Sequence, residues 1–219
     1  MIFLNLKTTG PDSKIHGIIG IGAVEYENPC NFFYETPRLE KDKKIEFRAL
    51  EDTGFKEYEL KDPSKKSLGR VLKEFLDWVE RIHKRNLVEY CKQNIDFLRT
   101  AMEEASLVVP RETSSEELAK MLERGKKIWP FGDIYIDLQT TAINTYHEAG
   151  FSPELKDSLY KLTFEEVLES VDLSRAEGPF NALEDALLGA EAYCRLVYQQ
   201  IWSTDFGTEF TLKDLRAKK

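Results

Sequence analysis

Cysteine, methionine, tryptophan and histidine are all scarce, with three of each in 219 residues. Cys30, Cys91 and Cys194 lie far apart and form neither a Cys-x-x-Cys pair nor a Cys/His cluster. That spacing argues against a structural zinc site and against a disulfide framework, so buried reduced thiols are expected. No apolar run approaches the roughly 20 residues of a membrane helix. The opening Met1 to Lys7 has no basic n-region and is too short for a signal h-region. A soluble, cytoplasmic protein is the expectation. Positive charge is also short, with 31 Lys and Arg against 39 Asp and Glu and a net charge of −8. Proteins that live on duplex phosphate usually carry a basic excess, so nucleic-acid binding here would need a local patch. The lysine groups Lys41/Lys43/Lys44, Lys61/Lys65/Lys66, Lys84/Arg85 and Lys126/Lys127 are expected to be solvated faces mixed with acids.

Hydrophobic residues make up 42% of the chain, enough to bury one core at this length. Ile2 to Leu6, Ile18 to Tyr26 and Asn31 to Glu35 read as three short strands joined by tight turns. Residues 37–67 are polar. From Ser67, the spacing of Leu68, Val71, Leu72, Phe75, Leu76 and Val79 predicts a helix. Leu87 to Cys91 reads as a strand and Asp96 to Leu107 as a helix. Ser114 with Glu117 and Thr163 with Glu166 are capping boxes. Ile134 to Leu138 is a further strand with a helix to Gly150, and a last long helix runs from about Ala182 to Trp202. This order predicts an α/β fold, a mixed five-stranded sheet with helices on both faces. One domain over 1–202 is expected, with 108–131 as an insertion and 203–219 as a peripheral tail. Phe32, Phe33, Phe75, Trp78 and Trp202 are expected in the core. Gly20 and Gly22 suit a strand packed closely under a helix, or a bulge.

Phe3-Leu4-Asn5-Leu6-Lys7-Thr8-Thr9-Gly10, followed by Ile18-Ile19-Gly20-Ile21-Gly22-Ala23-Val24, resembles the first motif of the DEDDh exonucleases, a ribonuclease H-like family. Phe180-Asn181-Ala182-Leu183-Glu184-Asp185-Ala186 resembles its third motif. The resemblance spans roughly residues 1 to 200 and implies that fold. It also implies 3′–5′ exonuclease chemistry, in which four carboxylates hold two divalent ions on the scissile phosphate and a histidine serves as base.

The residues at those positions do not supply that chemistry. Asn5 and Lys7 stand where the family has aspartate and glutamate, and side chains two apart on a strand share a face. Phe180 stands where the family has its histidine; Asp185 is retained. Anchoring the second motif on Asn94 places its aspartate at Leu98, and anchoring it downstream places it at Phe97. Asp96 is the nearest acid to either register. One ligand certainly, Asp185, and at most a second, Asp96, hold divalent ions poorly, so no tightly bound cofactor is expected. Mg²⁺ or Mn²⁺ would serve any residual nuclease. Lys7 is expected to pair with Asp185 where a metal would sit.

Three readings follow. The first is a pseudo-exonuclease that binds single-stranded nucleic acid weakly, or a protein. The second is an active exonuclease with rearranged ligands drawn from Asp185, Asp96 and Glu184, with His16 or His147 as base. The third is an interaction scaffold with no nucleic-acid role. His16 is expected as a surface-loop residue, His147 as structural or exposed, Asp137 as a cap, and Glu184 turned away from Asp185.

Overall fold

The computed structural model describes residues 1–90, 92–132, 135–149, 162–175 and 181–207. Phe180, Cys91, Gly150, Ile134 and the tail beyond residue 207 lie outside the described residues. The strands are β1 (Ile2–Thr8), β2 (Ile18–Glu25), β3 (Asn28–Glu35), β4 (Leu87–Glu89) and β5 (Ile136–Asp137). They form one sheet in the order β3-β2-β1-β4-β5. The β1–β2 and β2–β3 pairs are antiparallel, while β1–β4 and β4–β5 are parallel. This is the mixed five-stranded sheet expected from the sequence.

Alternation along β1 splits the core in two. Ile2, Leu4 and Leu6 pack with α3 (Leu68–Ile82) and α4 (Gln93–Glu104). Phe3 packs on the other face with α6 (Leu138–Glu148), α7 (Phe164–Ser170) and α8 (Ala182–Tyr193). Asn5 and Lys7 share the parity of Phe3 and so point toward α8.

The approach of α8 is set by β2. Gly22 is opposite Asn5 and Gly20 opposite Lys7. A Cβ on Gly22 would lie 2.1 Å from the Ala182 carbonyl carbon, whereas one on Gly20 would meet the Lys7 side chain at 3.3 Å and the Ala182 Cβ at an ordinary 3.7 Å. The bare backbone at Gly22 therefore lets the first turn of α8 lie directly on the sheet. Asn181 caps that turn by accepting a hydrogen bond from the Glu184 N–H at 2.8 Å.

Several boundaries differ from the sequence reading. The polar stretch 37–67 contains α1 (Phe47–Thr53) and α2 (Glu57–Leu60), with Leu39 and Leu60 buried against Ile19. β3 starts at Asn28, because its pairing with β2 shifts between Val24 and Glu25 and accommodates extra residues. α4 begins at Gln93, ahead of Asp96. The strand expected over Ile134 to Leu138 is reduced to Ile136–Asp137, since Leu138 already starts α6 under the Asp137 cap. Phe32 is 52% exposed on the edge strand, and Cys30 is exposed as well.

α8 ends at Tyr193, and the chain continues as a π-helical turn, Cys194–Tyr198, that stops at Gln199 in the left-handed conformation. Beneath this turn Glu191 and Arg195 form a buried ion pair at 2.6 Å. Glu191 accepts the backbone N–H groups of Trp202 and Ser203, and Arg195 donates to the carbonyls of Val171 and Phe206. These partners pull the chain back and end the helix before Trp202.

In the 108–131 stretch, α5 (Ser115–Glu123) is capped by Ser114. A backbone bridge between Val108 and Lys127 pinches its base. Most of the lysines read as surface groups are ion-paired: Lys43 with Glu104, Lys61 with Glu57, Lys66 with Glu35 and Glu74, Lys84 with Glu27, and Lys127 with Glu80. No helix among the described residues is long and apolar enough to cross a membrane.

The close approach at Gly22 yields a contrast in stability. Gly22→Ala should cost about 3 kcal/mol or more, because backbone on both sides must separate. Gly20→Ala should cost about 1 kcal/mol or less, since a flexible lysine stem can yield. Urea midpoints of the two variants check this; equal midpoints would show that α8 does not rest on Gly22.

Candidate functional site

At the C-terminal end of β1 a cleft of about 830 Å³ opens over Asn5, Lys7 and Thr8. Its walls come from α1 (Glu46, Arg48, Asp52), from the start of α4 (Gln93, Asn94), and from the segment Thr163 to Glu165 with Arg175. α1 lies in the polar stretch 37–67, which carries no strong apolar periodicity.

Asp185 lies beneath the cleft, against its lining residues Lys7 and Arg175, with its side chain 1% exposed. α8 carries it over β1, and the Lys7 ammonium meets its Oδ2 at 2.5 Å. The expected Lys7–Asp185 pair is therefore present, but a second cation joins it. Arg175 grips the same carboxylate at both oxygens, from Nε at 2.8 Å and from Nη2 at 2.7 Å. Its remaining Nη1 reaches Glu165, and its guanidinium lies over the Phe164 ring at 4.8 Å. A bidentate fork to a buried carboxylate is among the stronger charge-assisted contacts. Burial pushes the Lys7 ammonium below its usual range, and the charge of Asp185 opposes that shift.

The other candidates do not join Asp185. Phe97 and Leu98, the two registers for the second motif, are both buried in the α3–α4 core. Asp96, expected at most as a second ligand, is exposed and lines an adjoining depression with Asp12 and Ser13, across Pro11 and Gln93 from the cleft. The first turn of α4 instead presents Gln93 and Asn94 to the cleft, both neutral amides. Glu184 is exposed, as its offset from Asp185 implied. Asp137 caps α6 by accepting the Thr140 N–H at 2.7 Å. His147 is exposed on the last turn of α6.

His16 corrects the expectation of a surface-loop residue. It is buried, because its ring packs where a Gly10 side chain would stand. Its Nδ1 accepts the Asp12 N–H at 3.1 Å, and Nε2 lies 3.4 Å from Glu46. Both nitrogens are thus committed to holding the β1–β2 loop.

Glu89 was not singled out in the sequence. It ends β4, is buried, and accepts the Ile95 N–H at 3.1 Å at the start of α4. Its Oε1 and the Asn5 Oδ1 are buried oxygens without a hydrogen-bond partner among the described residues. Both residues line one small void beside Asp185. Burial pushes the Glu89 carboxyl up to about 9, with Asp137 and Asp96 adding to the shift and the Ile95 N–H opposing it. Glu89 is therefore neutral at physiological pH.

These donors do not fit the pair of divalent ions that such a site would need. Hard cations require several carboxylate or carbonyl oxygens. Here the one shared carboxylate is already bound by two cationic side chains. No group of three or more His, Cys, Asp or Glu side chains comes together among the described residues.

Two predictions follow from the geometry. Asp185→Asn leaves two cations facing a neutral amide and should lose about 3–5 kcal/mol of stability. Lys7→Met leaves the Arg175 fork intact and should change stability by about 1 kcal/mol or less. Denaturant titration checks the pair, and similar losses would mean Lys7 rather than Arg175 carries the neutralisation. For Glu89 the folded value lies above the unfolded 4.5. Its stabilisation is complete below that value and is lost as pH rises through about 9. Relative to wild type, Glu89→Gln should therefore gain stability steadily from pH 5 to 9, as read from urea midpoints; parallel profiles would refute a buried neutral Glu89.

No protein-family model matches the chain, and no curated protein matches it. Solved structures do. The nuclease domain of 3′hExo, a DEDDh family member solved bound to rAMP, superposes with a TM-score of 0.62 at 15% identity, over 97% of this chain and 96% of that one. Cell-death related nuclease 4 (CRN-4) gives 0.63 at 15% identity, covering 92% of this chain, which spans only 64% of CRN-4. S. pombe Pop2p in a Mg²⁺- and Mn²⁺-bound form gives 0.56 at 13% identity, over 94% and 86%. Identities this low speak to architecture alone, and on that evidence the chain has the ribonuclease H-like fold of the DEDDh exonucleases.

Proposed function

We propose that this chain is a catalytically silent protein of the exonuclease fold, a pseudo-exonuclease that acts by binding at its cleft. The observation that carries the reading is Asp185, gripped by Lys7 at 2.5 Å and by the two-point fork of Arg175. A carboxylate so neutralised has little capacity left for a divalent ion. Asn5 contributes a neutral oxygen where the family resemblance expects charge. The rearranged-ligand reading finds less support, because Asp96 opens on another depression, Glu184 is exposed, and His16 is held by Asp12 and Glu46.

The partner class follows from charge. Cleft cations Lys7, Arg48 and Arg175 are matched by Glu46, Asp52 and Glu165. Elsewhere Lys43, Lys61, Lys66, Lys84 and Lys127 are paired with acids, and the net charge is −8. Weak binding of single-stranded nucleic acid or of a protein suits this balance better than tight binding of duplex phosphate. The protein is proposed to work in the cytoplasm.

The test is an exonuclease assay on 5′-labelled single-stranded DNA and RNA with Mg²⁺ or Mn²⁺, alongside Asp185→Asn. No 3′-end ladder is expected from either protein. A ladder that appears with wild type and vanishes with Asp185→Asn would overturn the proposal.

A further inference from the structure

The two cations at the cleft floor face two carboxylates that differ sharply in burial. Asp185 is enclosed and fixed by three contacts. Glu165 is 61% exposed and meets Arg175 through Nη1 alone. An ion pair of that kind at the surface is worth about 1 kcal/mol or less, so its acid exchanges readily with an external anion. Exchange would not disturb the guanidinium, because Asp185 holds two of its nitrogens and Phe164 lies under its plane. Arg48 lines the same cleft, is exposed, and has no ion-pair partner among the described residues.

We infer that the cleft floor is an anion-binding site, in which a small oxyanion displaces Glu165 from Arg175 while Arg48 supplies further positive charge. The inference deepens the binding role proposed above and rests on that reading, since it needs Lys7 and Arg175 to stay on Asp185. The site inverts the polarity of a metal centre: fixed protein cations take the place of ions, and the ligand brings the negative charge. The Asn94 amide and the Thr163 hydroxyl, which accepts the Glu166 N–H and keeps its own hydrogen, add donors to the walls, whereas Thr8 and Gln93 already donate to the Gly10 and Pro11 carbonyls. Glu46 and Asp52 on the α1 wall limit the occupant. They weaken contact with a long run of phosphates, in keeping with weak strand binding, and leave room for one compact head group, a phosphate or a carboxylate.

The experiment is calorimetric titration of the full chain with inorganic phosphate at constant ionic strength, repeated with acetate to separate the two head groups. Glu165→Gln, which removes the competing acid from an exposed position, should bind phosphate about three- to five-fold tighter than wild type, the factor that up to about 1 kcal/mol supplies. Arg48→Gln should bind more weakly than wild type. A Glu165→Gln protein that binds no tighter, or heats that sodium chloride reproduces, would overturn the inference. Acetate binding as tightly as phosphate would assign the site to carboxylates, and a phosphate preference would assign it to phosphates; both support an oxyanion site. Mn²⁺ titration followed by electron paramagnetic resonance separates the two levels. Metal uptake at Asp185 overturns the silent-site reading itself, whereas absence of both metal and phosphate binding removes only the anion site.

Discussion

A carboxylate taken out of water has to be neutralised, and the manner in which Asp185 is neutralised governs the rest of the cleft. Desolvation of an uncompensated charge costs several kcal/mol. One metal-free solution is a set of fixed cations, and this chain uses two. Lys7 arrives from β1 and Arg175 from the segment after α7, so the contact ties sheet, α7 and α8 together at one point. Once that point is filled, α7 brings Glu165 to the rim and the Phe164 ring under the guanidinium. The cleft that results carries balanced charge and neutral amides in place of a cluster of acids.

This arrangement depends on how close α8 comes to the sheet. Gly22 permits contact between backbone and backbone, and the Asn181 cap fixes where the helix starts. A side chain at position 22 would lift the first turn of α8 and carry Asp185 away from Lys7. At its other end α8 is held by the Glu191–Arg195 pair, which is fully buried and satisfied by backbone groups from three segments. Such a pair contributes little net stability against an apolar substitute. Its consequence is positional, since it fixes where the helix unwinds and where the chain returns across Tyr26 and Trp202, whose rings stack at 5.8 Å.

What was legible in the sequence follows local rules. The apolar stripe of α3, the caps at Ser114 and Thr163, and the shared face of Asn5 and Lys7 are set by periodicity or by residues within a few positions. The glycine pair of β2 likewise marks a strand packed closely under a helix, or a bulge, and the structure takes the first. The features that escaped are long-range. Arg175 is ten residues from Asp185 in an unpatterned segment, and nothing local marks it as a ligand. Glu89 looks like an ordinary strand-end acid until β1, β5 and α4 close around it. α1 has a weak apolar pattern, with Thr53 its only buried residue, so its role as a cleft wall comes from tertiary position alone. The second-motif positions behave in a related way: α4 starts at Gln93 and turns Phe97 and Leu98, where the two registers place the aspartate, into the core.

The two buried oxygens beside Asp185 extend the same logic. Asn5 Oδ1 and Glu89 Oε1 line one small void with no hydrogen-bond partner among the described residues. Two such acceptors left side by side would each carry a desolvation cost of about 1–3 kcal/mol. An ionised Glu89 would add a charge to that cost. A proton on Glu89 changes the balance, because a neutral carboxyl adds a donor that the void otherwise lacks. The floor of the cleft is thus stripped of negative charge by three separate means: an amide at Asn5, a protonated acid at Glu89, and paired cations on Asp185. Each answers the same electrostatic demand, that acids converging at the ends of parallel strands cannot all stay ionised in a low dielectric without ions between them.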